Sequence, residues 1–322
     1  MHRALVGLFT AVVSTFSNSA LAADPFPNRP IQIVVPFAPG GTTDILARIM
    51  AEGMSTSLGT PVVVENRAGA TGIIGSEHVV RSAPDGYTLG IATVSSHSVN
   101  PVVRKLKFDV QKDLVPVVNI ANSPTVLVVS PSLPSKTFQD VIASARENPG
   151  KHTFGLSGLG SAGHLKMELL QLKTGADFLD VPYKGISAAI QDAMAGRVDV
   201  VSDDLPSSLP FINAGRLIPV AVSNPTRLPE LPNVPTYEEV GLPEMNLRSW
   251  FGIVAPAGTP SAVIEKLNHA ANEALKTENV NAAIRKLGVE PAGGTAAEFG
   301  KTWSDDMAIQ RDIAQKLHIQ VD

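Results

Sequence analysis

The chain has 322 residues, a formal net charge of −4, and 44% hydrophobic against 17% charged residues. That length accommodates two domains, and a pI near 6.0 with no basic stripe excludes a nucleic-acid binder. The absence of cysteine excludes disulfides, iron–sulfur clusters and thiolate metal sites.

In chain order, the first element is an export signal. Met1, His2 and Arg3 make a short cationic start, residues 4–16 are uncharged and mostly apolar, and Ser17, Asn18 and Ser19 are polar. Ala20, Leu21 and Ala22 then supply a small-x-small cleavage site, so a signal peptide is predicted over 1–22 with an apolar core too short to span a bilayer. No twin arginine precedes it, which predicts export of an unfolded chain that carries no tightly held cofactor. No later apolar run is long enough to cross a membrane, so a periplasmic protein is expected.

Past the signal, β-rich runs alternate with helical patterns. Residues 31–37 read as a strand, followed by Pro39, Gly40, Gly41, Thr42, Thr43 and Asp44. Ile45, Leu46, Ile49, Met50, Met54 and Leu58 then share one helical face, and Gly59 ends the helix. Strands are predicted at 62–64, 87–92, 126–129, 153–156, 178–181 and 198–201. Helices are predicted after Gly75 and at 137–147, 162–173 and 187–195. The alternation predicts an α/β protein with parallel sheets covered on both faces. Four prolines between 225 and 241 predict a surface loop, after which 247–255 resumes an apolar run and Thr259, Pro260 and Ser261 start a helix reaching Leu275.

Three constellations bear on function. Gly40, Gly41 and Thr42 lie between a strand and a helix, where glycines admit a ligand close to the backbone and the helix start offers unpaired N–H groups to a carboxylate or phosphate. Thr42 or Thr43 is equally able to cap that helix. Gly158, Gly160 and Gly163 match the G-x-G-x-x-G dinucleotide pattern, with Asp180 where a ribose-binding acid is expected. This makes a NAD-dependent oxidoreductase the main rival. Export and the motif's mid-chain position weigh against it, and Ser157, Gly158, Gly160 and Ser161 still offer an anion donors at a helix start.

An exported serine hydrolase using Ser157 or Ser161 is the other rival. The G-x-S-x-G elbow fails at both serines, because Leu159 stands where each needs a glycine. The seven histidines include no HExxH and no close pair at ligand spacing, so no metal site is expected. His164, on the helix after Ser161, either stabilises that turn or reaches the ligand. Asp203 and Asp204 follow an apolar strand at the crevice end, and one of them is expected to accept a hydrogen bond from a ligand or to tie a helix start.

Together these segments resemble the Bug receptors, the substrate-binding proteins of tripartite tricarboxylate transporters. The resemblance runs from Pro30 to Asp44, through Glu65, Asn66, Arg67, Ala68 and Gly69, and through Pro84, Asp85, Gly86 and Tyr87. It continues in Val181, Pro182, Tyr183, Lys184 and Gly185, and from Trp250 to Pro260. It implies a two-lobe, type II periplasmic-binding-protein fold, with residues 23–122 plus 248–322 as lobe 1 and 123–247 as lobe 2. It also implies a monomeric, non-enzymatic, cofactor-free receptor that closes on a small carboxylate and presents it to a membrane transporter or a sensor-kinase domain. The implied first-lobe contacts are Phe37, Ala38, Gly40, Gly41, Thr42 and Asp44, with Ser95 and Ser96 from the serine-rich stretch 93–100. From the second lobe come Ser157, Gly158, Gly160, Ser161, His164, Tyr183 and Asp203. In many relatives the position of Ser202 is aromatic and that of Asp204 is asparagine. An extra acid here either disfavours a large anion, favours an amine-bearing ligand, or faces solvent.

Overall fold

A computed structural model describes residues 26–321. The predicted signal peptide and its cleavage site lie outside the described residues. The first unit comprises β1 (Ile31–Val35), α1 (Thr42–Leu58), β2 (Val62–Asn66), α2 (Ile73–Val80), β3 (Thr88–Thr93), a π-helical turn (Val94–Val99), α3 (Asn100–Val103) and β4 (Leu114–Ser123). The chain then passes Pro124 into β5 (Thr125–Val129), α4 (Phe138–Glu147), β6 (His152–Leu156), α5 (Ala162–Thr174) and β7 (Phe178–Pro182). After these come α6 (Ile186–Met194), β8 (Val200–Asp204), α7 (Leu205–Asn213) and β9 (Ile218–Ser223). It returns through β10 (Ser249–Pro256), α8 (Ser261–Lys276), α9 (Glu278–Lys286), β11 (Glu290–Gly293) and α10 (Ala296–Lys316).

Two sheets result, of order β11-β4-β10-β3-β1-β2 and β7-β6-β8-β5-β9. This is a two-lobe α/β fold, but the sheets are mixed rather than parallel. β1 pairs in parallel with β2 and β3, and β6 with β7 and β8, each joined by helical crossovers. β5 instead follows directly on β4 of the other sheet, and β10 is reached from β9 through the irregular stretch 224–248 with its short 3-10 turn Pro243–Met245; both run antiparallel to their neighbours. Ser249 pairs with Ser123, placing the two crossings side by side.

The strand alternation shows why both faces must be covered. Ile31, Ile33 and Val35 pack with Leu46, Met50 and Leu267 on one face, while Val34 joins Val79 and Val254 on the other. In the second sheet Val126 and Val128 meet Ile190 and Leu209, and Leu127 and Val129 join the core containing Phe138 and Leu165. α1 ends, as expected, at Gly59 in the left-handed conformation (φ 63°), which glycine adopts without a Cβ penalty. The proline-rich stretch after Pro225 is irregular, yet it is more than a surface loop: Leu228, Leu231 and Val234 are buried in the second lobe's core. Among the described residues no helix is long and apolar enough to cross a membrane.

Candidate functional site

A cavity with about 720 Å³ of empty space, partly open to solvent, is lined by residues of both lobes. Three helix starts meet at it. α1 contributes Gly41, Thr42 and Thr43; α5 contributes Ala162 and Gly163; α6 contributes Gly185, Ile186 and Ser187. Gly41 and Gly185 are the N-caps of α1 and α6, and neither helix has a side-chain cap. Their first-turn amides therefore need another acceptor, and the three dipoles place positive ends at one cavity. This arrangement suits a carboxylate or similar anion without any arginine.

The loop before α1 is shaped by an acid that does not line the cavity. Gly40 has φ +84°, a conformation few L-residues adopt. Its amide donates to Asp44 Oδ2 at 3.0 Å, and Asn66 Nδ2 donates to Asp44 Oδ1 at 2.9 Å. Arg48 Nε adds a bond of 3.1 Å and its guanidinium an ion pair of 2.9 Å. Burial pushes the Asp44 carboxyl up, but Arg48, Gly40 and Asn66 outweigh it and hold the group below the usual range. Asp44 and Gly40 thus shape this loop from behind the cavity.

The lobes touch across the cavity. Ala162 N donates to Ser95 Oγ at 3.1 Å, Ser187 Oγ to Pro39 O at 3.1 Å, and Thr71 Oγ1 to Leu159 O at 3.2 Å. Thr42 Oγ1 lies 3.0 Å from Ser207 Oγ, which donates to Asp203 Oδ2 at 2.6 Å, so a hydroxyl relay links α1 to β8. The conformation is closed.

The glycine turn before α5 is occupied by structural bonds. Ser161 Oγ accepts from His164 N at 3.2 Å as the helix cap, and Gly160 N donates to His164 Nδ1 at 3.2 Å. His164 Nε2 faces Asp180 Oδ2 at 3.2 Å and Glu168 Oε1 at 3.8 Å. These three residues bring their ligand-type atoms within 4.8 Å of one another, a proximity the spacing of the histidines did not reveal. A Cβ on Gly158 would lie 2.7 Å from Thr71 Oγ1, and one on Gly160 3.2 Å from Arg104. In the closed form this turn packs against Thr71 and Arg104 of the first unit, and Asp180 is turned to His164. Ser161, as a helix cap, is not an activated nucleophile.

Among the described residues three titratable side chains line the cavity: Lys166, Asp203 and Asp204. Burial lowers the Lys166 ammonium to about 8, with Asp204 and Asp306 opposing. Lys166 Nζ donates to Leu247 O at 2.6 Å and Thr125 Oγ1 at 3.2 Å, both at the lobe crossings. Burial, then the neighbouring Asp204, pushes the Asp203 carboxyl up to about 7, although Ser207 and Ser208 each donate to it at 2.6 Å. Asp203 thus ties the first turn of α7 while facing the cavity.

Of the sequence-predicted residues, Phe37, Ala38, Gly41, Thr42, Ser95, Ser157 and Asp203 line the cavity. Gly40, Asp44, Gly158, Gly160, Ser161 and His164 stand behind it in the roles just described. Ser96 bonds Thr93 Oγ1 at 2.9 Å and His97 Nδ1 at 2.7 Å inside the first lobe. Tyr183 sends its hydroxyl to Asp192 at 2.7 Å, away from the cavity lining. Lys166, Ser187, Ser249 and Trp250 line the cavity without having been anticipated. Ser187 carried a signal, since it sits two residues after Gly185 at a helix start. Lys166 carried none.

Residues 46–319 match the family model described as tripartite tricarboxylate transporter family receptor. The protein BugT of Bordetella pertussis is 40% identical over 320 residues, covering 98% of each chain. A solved structure described as a periplasmic transporter is 43% identical, with a TM-score of 0.90 over 92% of this chain and 100% of that one. The Rpa4515 protein of R. palustris, solved with adipate, is 37% identical with a TM-score of 0.88, over 92% of this chain and 99% of that one.

Proposed function

The chain belongs to the tripartite tricarboxylate transporter receptor family, and on that premise we propose that it captures a small carboxylate, an organic acid or an amino acid, by closing its two lobes. The family is one of substrate-binding receptors, not of enzymes. The observation that carries the proposal is the convergence of three helix starts, one from lobe 1 and two from lobe 2, on one cavity. A carboxylate there accepts first-turn amides from both lobes at once, so it binds the closed state better than the open one and shifts the population toward closure. Adipate in the R. palustris relative supports the ligand class.

In this reading residues 1–22 are removed after Ala22 and the mature receptor works in the periplasm. Residues 23–122 with 248–322 form one lobe and 123–247 the other. The closed, monomeric complex delivers its ligand to a membrane transporter or to a sensor domain. Phe37, Ala38, Gly41, Thr42 and Ser95 contact the ligand from lobe 1, and Ser157, Gly163, Gly185 and Asp203 from lobe 2.

The test is a thermal-shift panel on the chain from Ala23 onward, unfolded and refolded to strip carried-over ligand, against mono- and dicarboxylates, amino acids, NAD and NADP. A true ligand at a hundredfold over its Kd adds about 2.7 kcal/mol, a rise of roughly 5–10 °C for a chain this long. A shift with an acid and none with the nucleotides is the expected result. No shift with any acid overturns the proposal.

A further inference from the structure

Asp204 does not do what its position calls for. It is the N-cap of α7, where an aspartate ordinarily accepts from the first-turn amides of its own helix, yet no such bond is made. It lines the cavity, and its Oδ1 is buried with no hydrogen-bond partner among the described residues. Ser249 alone donates to the carboxylate from nearby, and burial holds the group above its usual range against the pull of Lys166 and Ser249.

The neighbouring charges do not satisfy it. Among the described residues Lys166 is the one cation lining the cavity, but its ammonium is given to Leu247 O and Thr125 Oγ1, and no ion pair joins it to Asp204. Asp203 takes the Ser207 and Ser208 hydroxyls on one oxygen, Oδ2, and as an acid offers Asp204 no positive charge. Two acids thus face one cation, and a buried carboxylate oxygen without a donor is costly to keep.

Resting on the capture reading above, we infer that Asp204 is a specificity residue that accepts a hydrogen bond from an ammonium group of the ligand. The ligand class is then an amino acid or another ammonium carboxylate, its carboxylate on the helix starts and its ammonium on Asp204. A dicarboxylate would bring a second negative charge against Asp203 and Asp204. The ammonium ligand instead supplies the missing donor and balances the excess acid.

Calorimetric titration of the refolded, ligand-free chain with matched probes tests this: glutarate against glutamate, and adipate against 6-aminohexanoate. One charge-assisted hydrogen bond predicts an advantage of about tenfold or more for the ammonium member of at least one pair. Asp204→Asn should erase most of that advantage while leaving the dicarboxylates bound as well as before or better. Tighter binding of both dicarboxylates overturns the inference and leaves capture standing. That result would be most telling if it strengthened at low pH, because a protonated Asp204 would then be donating to a second carboxylate. An unchanged preference in Asp204→Asn also overturns it. If that variant fails to fold, the wild-type preference within the pairs decides. Silence from every acid overturns the capture reading itself.

Discussion

The closed geometry can be probed with a wedge at Gly185. This residue has φ 172°, an extended conformation open to any side chain, and a Cβ built on it lies 3.1 Å from the Cβ of Ala38 across the lobe boundary. Carbon atoms rest at about 3.5–4.0 Å, so even alanine demands roughly half an ångström of retreat from the Phe37–Gly41 loop. Gly185→Val adds a Cβ bearing two methyl groups, and overpacking of that kind costs about 1–3 kcal/mol. Because Ala38 belongs to the other lobe, the cost falls on the closed state. Affinity for any ligand that requires closure should drop roughly 5–150-fold. The ligand-free melting temperature should move only by the loss of a glycine N-cap, an effect below about 1 kcal/mol. The assay pairs calorimetric titration with scanning calorimetry of the free protein. Wild-type affinity in Gly185→Val would refute the idea that the ligand is held in this closed arrangement.

Three other outcomes are expected. Asp44→Asn removes the charged partner of Arg48, Gly40 and Asn66 and should lower the melting temperature by several degrees, for a loss of about 1.5–3 kcal/mol. The Asp44 pKa is lowered in the fold, so its contribution is present above the ordinary carboxylate range and lost as pH falls through the folded value. Melts taken between neutral and acid pH should show that limb in the wild type and not in the variant. Asp203 has the opposite sign: the folded chain keeps a proton that the unfolded chain releases, so its contribution weakens as pH rises from 3.8 to about 7. Asp203→Asn should flatten the melting temperature across that window, and an unchanged slope would contradict the assignment. Gly252→Ala would drive a Cβ into the Phe299 ring, which Trp250 and Trp303 hold at 5.3 and 6.3 Å between centroids. Overpacking here should cost about 3 kcal/mol and appear as a melting temperature lower by several degrees.

The elements that the sequence makes legible are those whose signal is local. Six of the seven predicted strands fall within two residues of the observed ones because apolar β-branched runs and their glycine punctuation are short-range patterns. The start of α1 was legible for the same reason: Gly40 and Gly41 before a helix state their own conformational need. Strand direction was not legible, because β5 and β10 take theirs from the crossings at Pro124 and Ser249, and the crossings are set by which sheet each strand joins. A parallel expectation was the natural reading of alternation alone.

The same distinction separates the site residues. Gly41 and Thr42 line the cavity because a helix start carries its chemistry in its own backbone, wherever it is placed. Asp44 and His164 sit in the same motifs but face backward, and only remote partners decide that: Asn66 and Arg48 for one, Asp180 and the Gly160 amide for the other. Lys166 reads in sequence as one more lysine on an amphipathic helix. It is buried because α5 points its first turns at the lobe crossings, where Leu247 O and Thr125 Oγ1 take its hydrogens. Asp204 is the converse, a residue whose local role as a helix cap is strongly favoured and is left unused. A local preference refused in a buried position needs compensation from elsewhere, and at the cavity wall the available source is the ligand.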